Sequence, residues 1–241
     1  MKALLLTGIV AAGLYVVGDR VSGLAYNWSR PYSFKDQWIS ELTAFGSPVR
    51  PLMVAVITVH GLLGAAFAVG IWRAAGQNRS LRRVGLALLA AGAVGFVIHP
   101  FFPMTSRWME SGFTDKMHGV LSMVWGLIIF VAVALCAVAY RGWLRIYSIV
   151  TLVVLIGFGA ASAIAIQGIE QNDTPWAGAF ARVNAYALMA WFVVLAVTVM
   201  RRSLSDAAPE TRVASAVGEG AMGIALIHRF LSAPQNAGGA K

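Results

Sequence analysis

The sequence predicts an all-α fold, a polytopic membrane helix bundle with six transmembrane helices and both termini in the cytoplasm. The first supporting observation is composition: 59% of the residues are hydrophobic and 12% are charged, with a mean hydropathy of +0.72. Soluble domains average about 45–50% apolar and about 25% charged residues. The second is that the apolar residues form long runs, because a spanning helix needs roughly 17–25 of them. The third is the placement of lysine and arginine, which gives the bundle a direction.

Six apolar runs define a transmembrane domain over residues 1–200. Five of them are long enough to cross the hydrocarbon layer at about 1.5 Å of rise per residue. The first run is short, follows Lys2 and stops at Asp19, so it has two interpretations. It is either an uncleaved helix or the apolar part of a secretory signal, which runs about 7–15 residues. We favour the uncleaved helix because it makes the charge pattern consistent. The predicted spans are residues 3–18, 51–72, 84–102, 119–140, 146–167 and 183–200.

Basic residues concentrate in alternate connections between the runs. Twelve of the 19 Lys and Arg residues lie in the N-terminus, in residues 73–83 and 141–145, and after residue 200. The positive-inside rule therefore predicts a multi-pass protein of the plasma (cytoplasmic) membrane, with N- and C-termini inside. The net charge of +9 is explained by this topology signal and by attraction to anionic lipid headgroups. The expected partner is the lipid bilayer, with no nucleic acid, since no basic patch interleaved with aromatic residues occurs.

Two segments outside the spans carry their own patterns. Residues 34–45 are predicted to form a short amphipathic helix on the outer face, since Ser33 and Asp36 have the spacing of a capping box. The apolar stripe of that helix consists of Trp38, Ile39, Leu42 and Phe45. Residues 201–241 are rich in Ala, Gly and Ser, which predicts a flexible cytoplasmic tail.

Ionisable residues gather on the predicted outer side. Such groups are costly within a bilayer, so they face protein or water and are often functional. The central set is Glu41, His60, His99, Asp115 and His118. A second outer polar group, flanking the connection before the last span, is Glu170, Asp173, Arg182 and Asn184.

Three interpretations of the central set are open. His99, Asp115 and His118 match the two-imidazole, one-carboxylate ligand set of a hydrolytic site for a divalent metal such as zinc. In that scheme Glu41 or His60 moves protons as the catalytic residue. Alternatively, the residues line a metal-free functional pocket, or they are structural: a helix-capping carboxylate and histidines bonded across helices.

The sequence also resembles a known family. The resemblance is carried by Pro31-Tyr32-Ser33, by the segment Asp36 to Pro48 with its Ser40-Glu41-Leu42 core, by His99-Pro100-Phe101-Phe102-Pro103, by Asp115-Lys116-Met117-His118 and by Arg182-Val183-Asn184. These elements resemble domain-of-unknown-function family 998 over about residues 5–200. The family implies a six-span prokaryotic membrane protein of uncharacterised activity. It supports grouping Glu41, His99, Asp115 and His118, and it supplies no reaction.

Two functions of different class are consistent with these observations. The first is a metal-dependent hydrolase or transferase acting on a lipid or amphiphile, with a pocket lined by the central set and opening to lipid or to the outside. The second is a non-enzymatic sensor, assembly or transport protein in which the polar cluster is structural or binds a ligand. Ion-coupled transport is disfavoured because only His60 places a titratable group near the middle of a span.

Overall fold

The computed structural model describes residues 1–27, 31–107, 109–171 and 173–231, and for residues 170, 204–221 and 223–231 it describes the backbone alone. Among these residues it is built of helices, six of which are long and apolar enough to cross a membrane. The predicted fold class is thus confirmed. The helices are α1 (Lys2–Leu24), α2 (Arg50–Ala74), α3 (Arg79–Phe101), α4 (Phe113–Ala139), α5 (Trp143–Ala165) and α6 (Ala177–Leu231).

The chain divides into two compact units, Met1–Val199 and Met200–Lys241. The first unit holds the packed bundle. In the second, α6 continues as a helix to Leu231. The predicted flexibility of residues 201–241 stays a prediction, and residues 232–241 lie outside the described part of the chain.

Helix α1 is longer than the apolar run that predicted it. It continues past residue 18 to Leu24 and includes Asp19, which is fully buried. A charge that ends a run in the sequence can remain inside a helix when a partner compensates it, and Arg182 of α6 pairs with this carboxylate. The predicted end of the first span was therefore several residues too early.

The amphipathic helix predicted over residues 34–45 is replaced by a shorter element, a 3₁₀ helix over Ile39–Thr43. Ser33 and Asp36 do exchange hydrogen bonds, but they close an isolated turn. The carboxylate of Glu41 instead accepts the backbone N–H of Trp38 and caps the 3₁₀ helix. Residues 31–49, which we call the cap, form an irregular segment rather than a surface helix, because Glu41 and Leu42 are buried against other elements.

Small residues allow α1, α2 and α3 to approach closely. A Cβ on Gly8 would overlap the ring of Phe67, and one on Gly70 would lie 3.1 Å from the backbone carbon of Leu4. Gly85 of α3 faces the backbone of α2 in the same way. Close backbone approach at small residues is the usual means of packing helices in lipid, where the hydrophobic effect does not drive their association.

Helices α5 and α6 are joined by hydrogen bonds from polar side chains. The Asn184 side chain donates to the carbonyl of Leu155 at 2.9 Å, and the Trp191 indole donates to the Ser148 hydroxyl at 3.2 Å. Bonds of this kind contribute on the order of 0.6–2 kcal/mol in membrane proteins and fix helix rotation.

Candidate functional site

A large cavity lies inside the bundle, beneath the cap. Its volume is about 730 Å³, within the roughly 300–1,000 Å³ typical of small-molecule sites. All six helices and the cap contribute to its wall, which is mainly apolar. The polar and aromatic residues of the wall that concern its chemistry are Tyr15, Trp38, Ser40, His60, His99, His118, Ser122, Trp125 and Asn184.

Glycines create much of this space. Five of the glycines in the cavity wall have no heavy atom within 4 Å of the position a Cβ would take, so their missing side chains leave open room. They are Gly61, Gly64, Gly92, Gly119 and Gly126. A core optimised only for packing would fill such room, because protein interiors are close-packed. The glycines therefore support a cavity that accommodates a ligand.

The cavity meets the exterior of the bundle between α4 and α5. Most of its lining residues are buried or half-buried, and the exposed ones lie on these two helices alone. They are Gly119, Met123 and Leu127 of α4, and Ile156, Ala160 and Ala163 of α5. None of them is polar. This edge lies on two helices that are long and apolar enough to cross a membrane.

His99 and His118 lie together beneath the cap. Their ring centroids are 5.5 Å apart in an edge-to-face arrangement. His118 Nδ1 lies 2.9 Å from the carbonyl oxygen of Phe102, and His99 Nδ1 lies 3.0 Å from the Thr43 hydroxyl. The sequence predicted that these two histidines group, and the structure brings them together.

His60 occupies a separate part of the wall. Its Nδ1 lies 2.9 Å from the carbonyl oxygen of Ala11, and its ring packs 5.1 Å from that of Tyr15. This bond crosses from α2 to α1, as the structural interpretation of His60 predicted. The ring nevertheless lines the cavity, so the bond also orients it there.

Glu41 is held in a buried ion pair. Arg107 contacts both of its carboxylate oxygens, through Nε at 2.7 Å and through a terminal nitrogen at 2.6 Å. Gln37 and the backbone N–H of Trp38 donate to the same carboxylate. Arg107 also donates to Thr174, so one guanidinium joins the cap to the connections after α3 and before α6. The bidentate geometry is the strongest form of this contact.

A second buried ion pair joins the first helix, α1, to the last helix, α6. Arg182 of α6 donates to both carboxylate oxygens of Asp19, at 2.9 and 3.0 Å. It also donates to the carbonyl oxygens of Phe34 and Gln37 in the cap, and to the Tyr32 hydroxyl at 2.6 Å. Burial raises the pKa of Tyr32 above its ordinary value, so this phenol stays neutral and accepts from the guanidinium.

The predicted metal set is only partly brought together. Asp115 lies at the start of α4, where its carboxylate accepts from the Thr105 hydroxyl and backbone and from the backbone N–H of Gly112. This is the helix-capping role that the structural interpretation predicted. Within the described part of the chain no group of three or more His, Cys, Asp or Glu side chains is arranged to hold a metal ion. The assignment of His99, Asp115 and His118 as metal ligands stays a prediction.

The second predicted group separates in the structure. Asn184 lines the cavity, while Arg182 lies in the ion pair with Asp19. Asp173 is exposed and its backbone N–H donates to the carbonyl of Gly168. The side chain of Glu170 lies outside the described residues.

Sequence reasoning missed Asp19, Arg107 and Thr43. In the sequence Asp19 marks the end of an apolar run, although an acid there and an arginine at the start of the last run are a detectable signal for a pair across the bundle. Arg107 is one basic residue in the connection after α3, and nothing in its neighbourhood in the sequence indicates Glu41 as its partner. Thr43 carried no signal, because its role depends on contact with a histidine 56 positions away.

Comparison with protein families identifies a family to which most of this chain is similar. The model of the family described as protein of unknown function (DUF998) matches residues 9–198. That range covers most of the chain and holds the cap, both ion pairs and the whole cavity wall. Comparison with curated proteins and with solved structures gave no match.

Proposed function

The chain belongs to the DUF998 family, and we propose that it binds a lipid or other amphiphile, which enters the cavity sideways between α4 and α5. The observation that carries this proposal is the apolar edge of the cavity. The exposed lining residues are apolar, and they lie where the bilayer surrounds the helices. An acyl chain can cross such an edge without leaving an apolar environment. A water-soluble ligand would first have to give up its hydration to reach the edge through the lipid.

The distribution of polar groups supports the same ligand class. Those of the cap, His99, His118 and Asn184, together with His60 and Ser122, lie within a wall that is mainly apolar. Amphiphile sites combine these features, because the tail needs apolar surface and a few placed polar groups orient the head. The ion pairs of Glu41 and Arg182 fix the cap, and so set the positions of Trp38 and Ser40 in the wall.

The metal-dependent hydrolase or transferase predicted from the sequence has less support. Its carboxylates are committed elsewhere: Asp115 to the start of α4, and Glu41 to Arg107. Either residue would have to give up several hydrogen bonds to act on a ligand in the cavity. Glu41 is better explained as a residue that positions the cap.

Photo-crosslinking of the protein in lipid nanodiscs tests the proposal. The probes are hexadecanol, palmitate and hexadecylamine, each with the same diazirine in its chain, and labelled residues are mapped by peptide mass spectrometry. We expect at least one probe to label the cavity wall in α4 or α5. Gly92→Leu, which fills open space in the wall, should abolish this labelling.

The matched control is Gly157→Leu. Gly157 also has open space around its Cβ position, but it is exposed and does not line the cavity. It should leave labelling unchanged. If no probe labels the wall, or if the two variants behave alike, the amphiphile-binding function is refuted.

A further inference from the structure

The cap end of the cavity presents hydrogen-bonding groups whose roles can be assigned. The Thr43 hydroxyl donates its proton to the carbonyl of Ser40 at 2.8 Å, so towards His99 it is an acceptor. His99 Nδ1 therefore carries a proton. His118 Nδ1 also carries one, because its partner, the Phe102 carbonyl, can only accept.

A neutral imidazole with a proton on Nδ1 has a lone pair on Nε2. In the described part of the chain the hydrogen bonds of His99 and His118 all run through Nδ1. Both rings line the cavity. The pair thus offers two Nε2 acceptors that are oriented by their Nδ1 anchors and free to bind a donor, as in the second-shell orientation of histidine ligands.

Trp38 supplies the opposite function at the same end. Its indole N–H is buried and finds no hydrogen-bond partner among the described residues, although the ring lines the cavity. A buried donor without a partner costs on the order of 1–3 kcal/mol, so such groups in native proteins call for an explanation. A ligand acceptor in the cavity would provide the missing bond.

Charge selects further among head groups. The residues that line the cavity include no Asp, Glu, Lys or Arg in the described part of the chain. Of the charges around the cap end, Glu41 pairs with Arg107 and Asp19 pairs with Arg182. The Arg50 guanidinium donates to the carbonyl oxygens of Thr43 and Pro100, and the Asp115 carboxylate accepts from Thr105 and Gly112. Neither Arg50 nor Asp115 lines the cavity. A carboxylate or phosphate head would be buried without a counter-ion, and so would an ammonium head, at a large cost in desolvation.

From this arrangement we infer that the ligand is a lipid alcohol, whose hydroxyl donates to Nε2 of His99 or His118 and accepts from the indole N–H of Trp38. The inference rests on the proposed amphiphile-binding function and specifies its head group. A hydroxyl is uncharged and both donates and accepts, which matches the two kinds of group that the cap end leaves unpaired. An ether can only accept, and would leave the histidine acceptors unpaired.

Competition against the diazirine-bearing hexadecanol in nanodiscs tests this assignment. The competitors are unlabelled hexadecanol, hexadecyl methyl ether, palmitate and hexadecylamine, all with the same chain. Hexadecanol should compete about tenfold better than the ether, which is the effect of one hydrogen bond of roughly 1.4 kcal/mol. Palmitate and hexadecylamine should compete less well than the alcohol.

Variants separate the head-group contact from general damage to the site. His99→Leu or His118→Leu, whichever contacts the hydroxyl, should bring the alcohol-to-ether ratio close to one. Trp38→Phe should weaken alcohol and ether alike and leave the ratio unchanged, because both accept from the indole. A merely structural role of the histidines would lower both affinities and preserve the ratio.

The outcomes distinguish the two proposals. If palmitate or hexadecylamine competes as well as hexadecanol, or if the ratio is near one in the wild type, the lipid-alcohol assignment is overturned while amphiphile binding stands. A ratio that neither histidine variant changes overturns the assignment as well. Absence of labelling by every probe refutes the binding function itself.

Discussion

Replacing Arg182 by methionine would leave the Asp19 carboxylate buried without its counter-ion. Asp19 has no exposed surface, and the Arg182 side chain is 5% exposed, so solvent cannot replace the lost partner. Removing one member of a buried pair costs about 3–5 kcal/mol. We expect the upper part of that range, because the Phe34 carbonyl loses its donor at the same time and the Gln37 carbonyl keeps only the Tyr32 hydroxyl.

A double-mutant cycle shows whether the cost arises from the buried charge. Asp19→Asn neutralises the carboxylate, so the Asp19→Asn/Arg182→Met protein should be more stable than the sum of the single changes predicts, by about 1–3 kcal/mol. The free energy of unfolding is measured by titration from mild detergent into a denaturing one, followed by intrinsic fluorescence.

Lys35→Met provides the control, since it breaks an exposed contact at the same end of the bundle. Lys35 lies 3.9 Å from Asp36 with side chains 54% and 36% exposed, and such pairs contribute about 0–1 kcal/mol. If the free energy of unfolding of Arg182→Met lies within about 1 kcal/mol of the wild-type value, the ion pair does not hold α1 and α6 together. Strictly additive effects in the cycle would refute the same account.

Three further predictions concern the cap, the helix packing and the orientation. Arg107→Gln removes the bidentate partner of a buried carboxylate, so it should cost about 3 kcal/mol and increase hydrogen exchange in residues 31–49, measured by mass spectrometry. Gly178→Val places a side chain against the backbone of the cap and should cost about 1–3 kcal/mol, whereas Gly13→Val, with open space around it, should cost less than 1 in the same unfolding assay. In a cysteine-free background, a membrane-impermeant maleimide should label Lys35→Cys and not Arg141→Cys in intact cells, both sites being exposed, and the reverse pattern would contradict the predicted orientation.

Most of the helix bundle could be predicted from the sequence because the physics of spanning is local. Each span needs its own apolar length, and this is visible in one window of residues. The end of α1 is the informative failure. Whether Asp19 ends a helix or continues it depends on Arg182, which lies 163 positions away and meets it only in the folded bundle. The prediction of a surface helix over residues 34–45 was wrong for a similar reason. Glu41 forms a buried ion pair with Arg107, which a helix lying on the surface would not allow.

The sequence indicated which residues belong to the candidate site, but it indicated less about what each of them does there. The pairing of His99 with His118 was expected from their positions at the ends of neighbouring spans. The cavity was not, because empty space arises from the absence of side chains on several helices at once, and glycines in one helix do not indicate which way they face. The tautomers depend on Thr43 and on the Phe102 carbonyl, which have no distinctive sequence pattern.

Charged and uncharged polar groups have different tasks at the cap end. The charged residues form two pairs, Glu41 with Arg107 and Asp19 with Arg182, and these pairs bind the cap to the helices. Their charges are therefore neutralised within the protein. The groups left for a ligand are neutral ones in the cavity wall, which cost far less than a charge to keep unpaired in an apolar environment. An empty cavity can tolerate unpaired neutral groups between binding events. An unpaired charge in the same apolar surroundings would have a much larger desolvation cost. The same distribution explains why the ligand should be uncharged. An uncharged ligand supplies the hydrogen bonds that the wall groups lack. A charged ligand would find no counter-ion, because Glu41, Arg107, Asp19 and Arg182 are already paired.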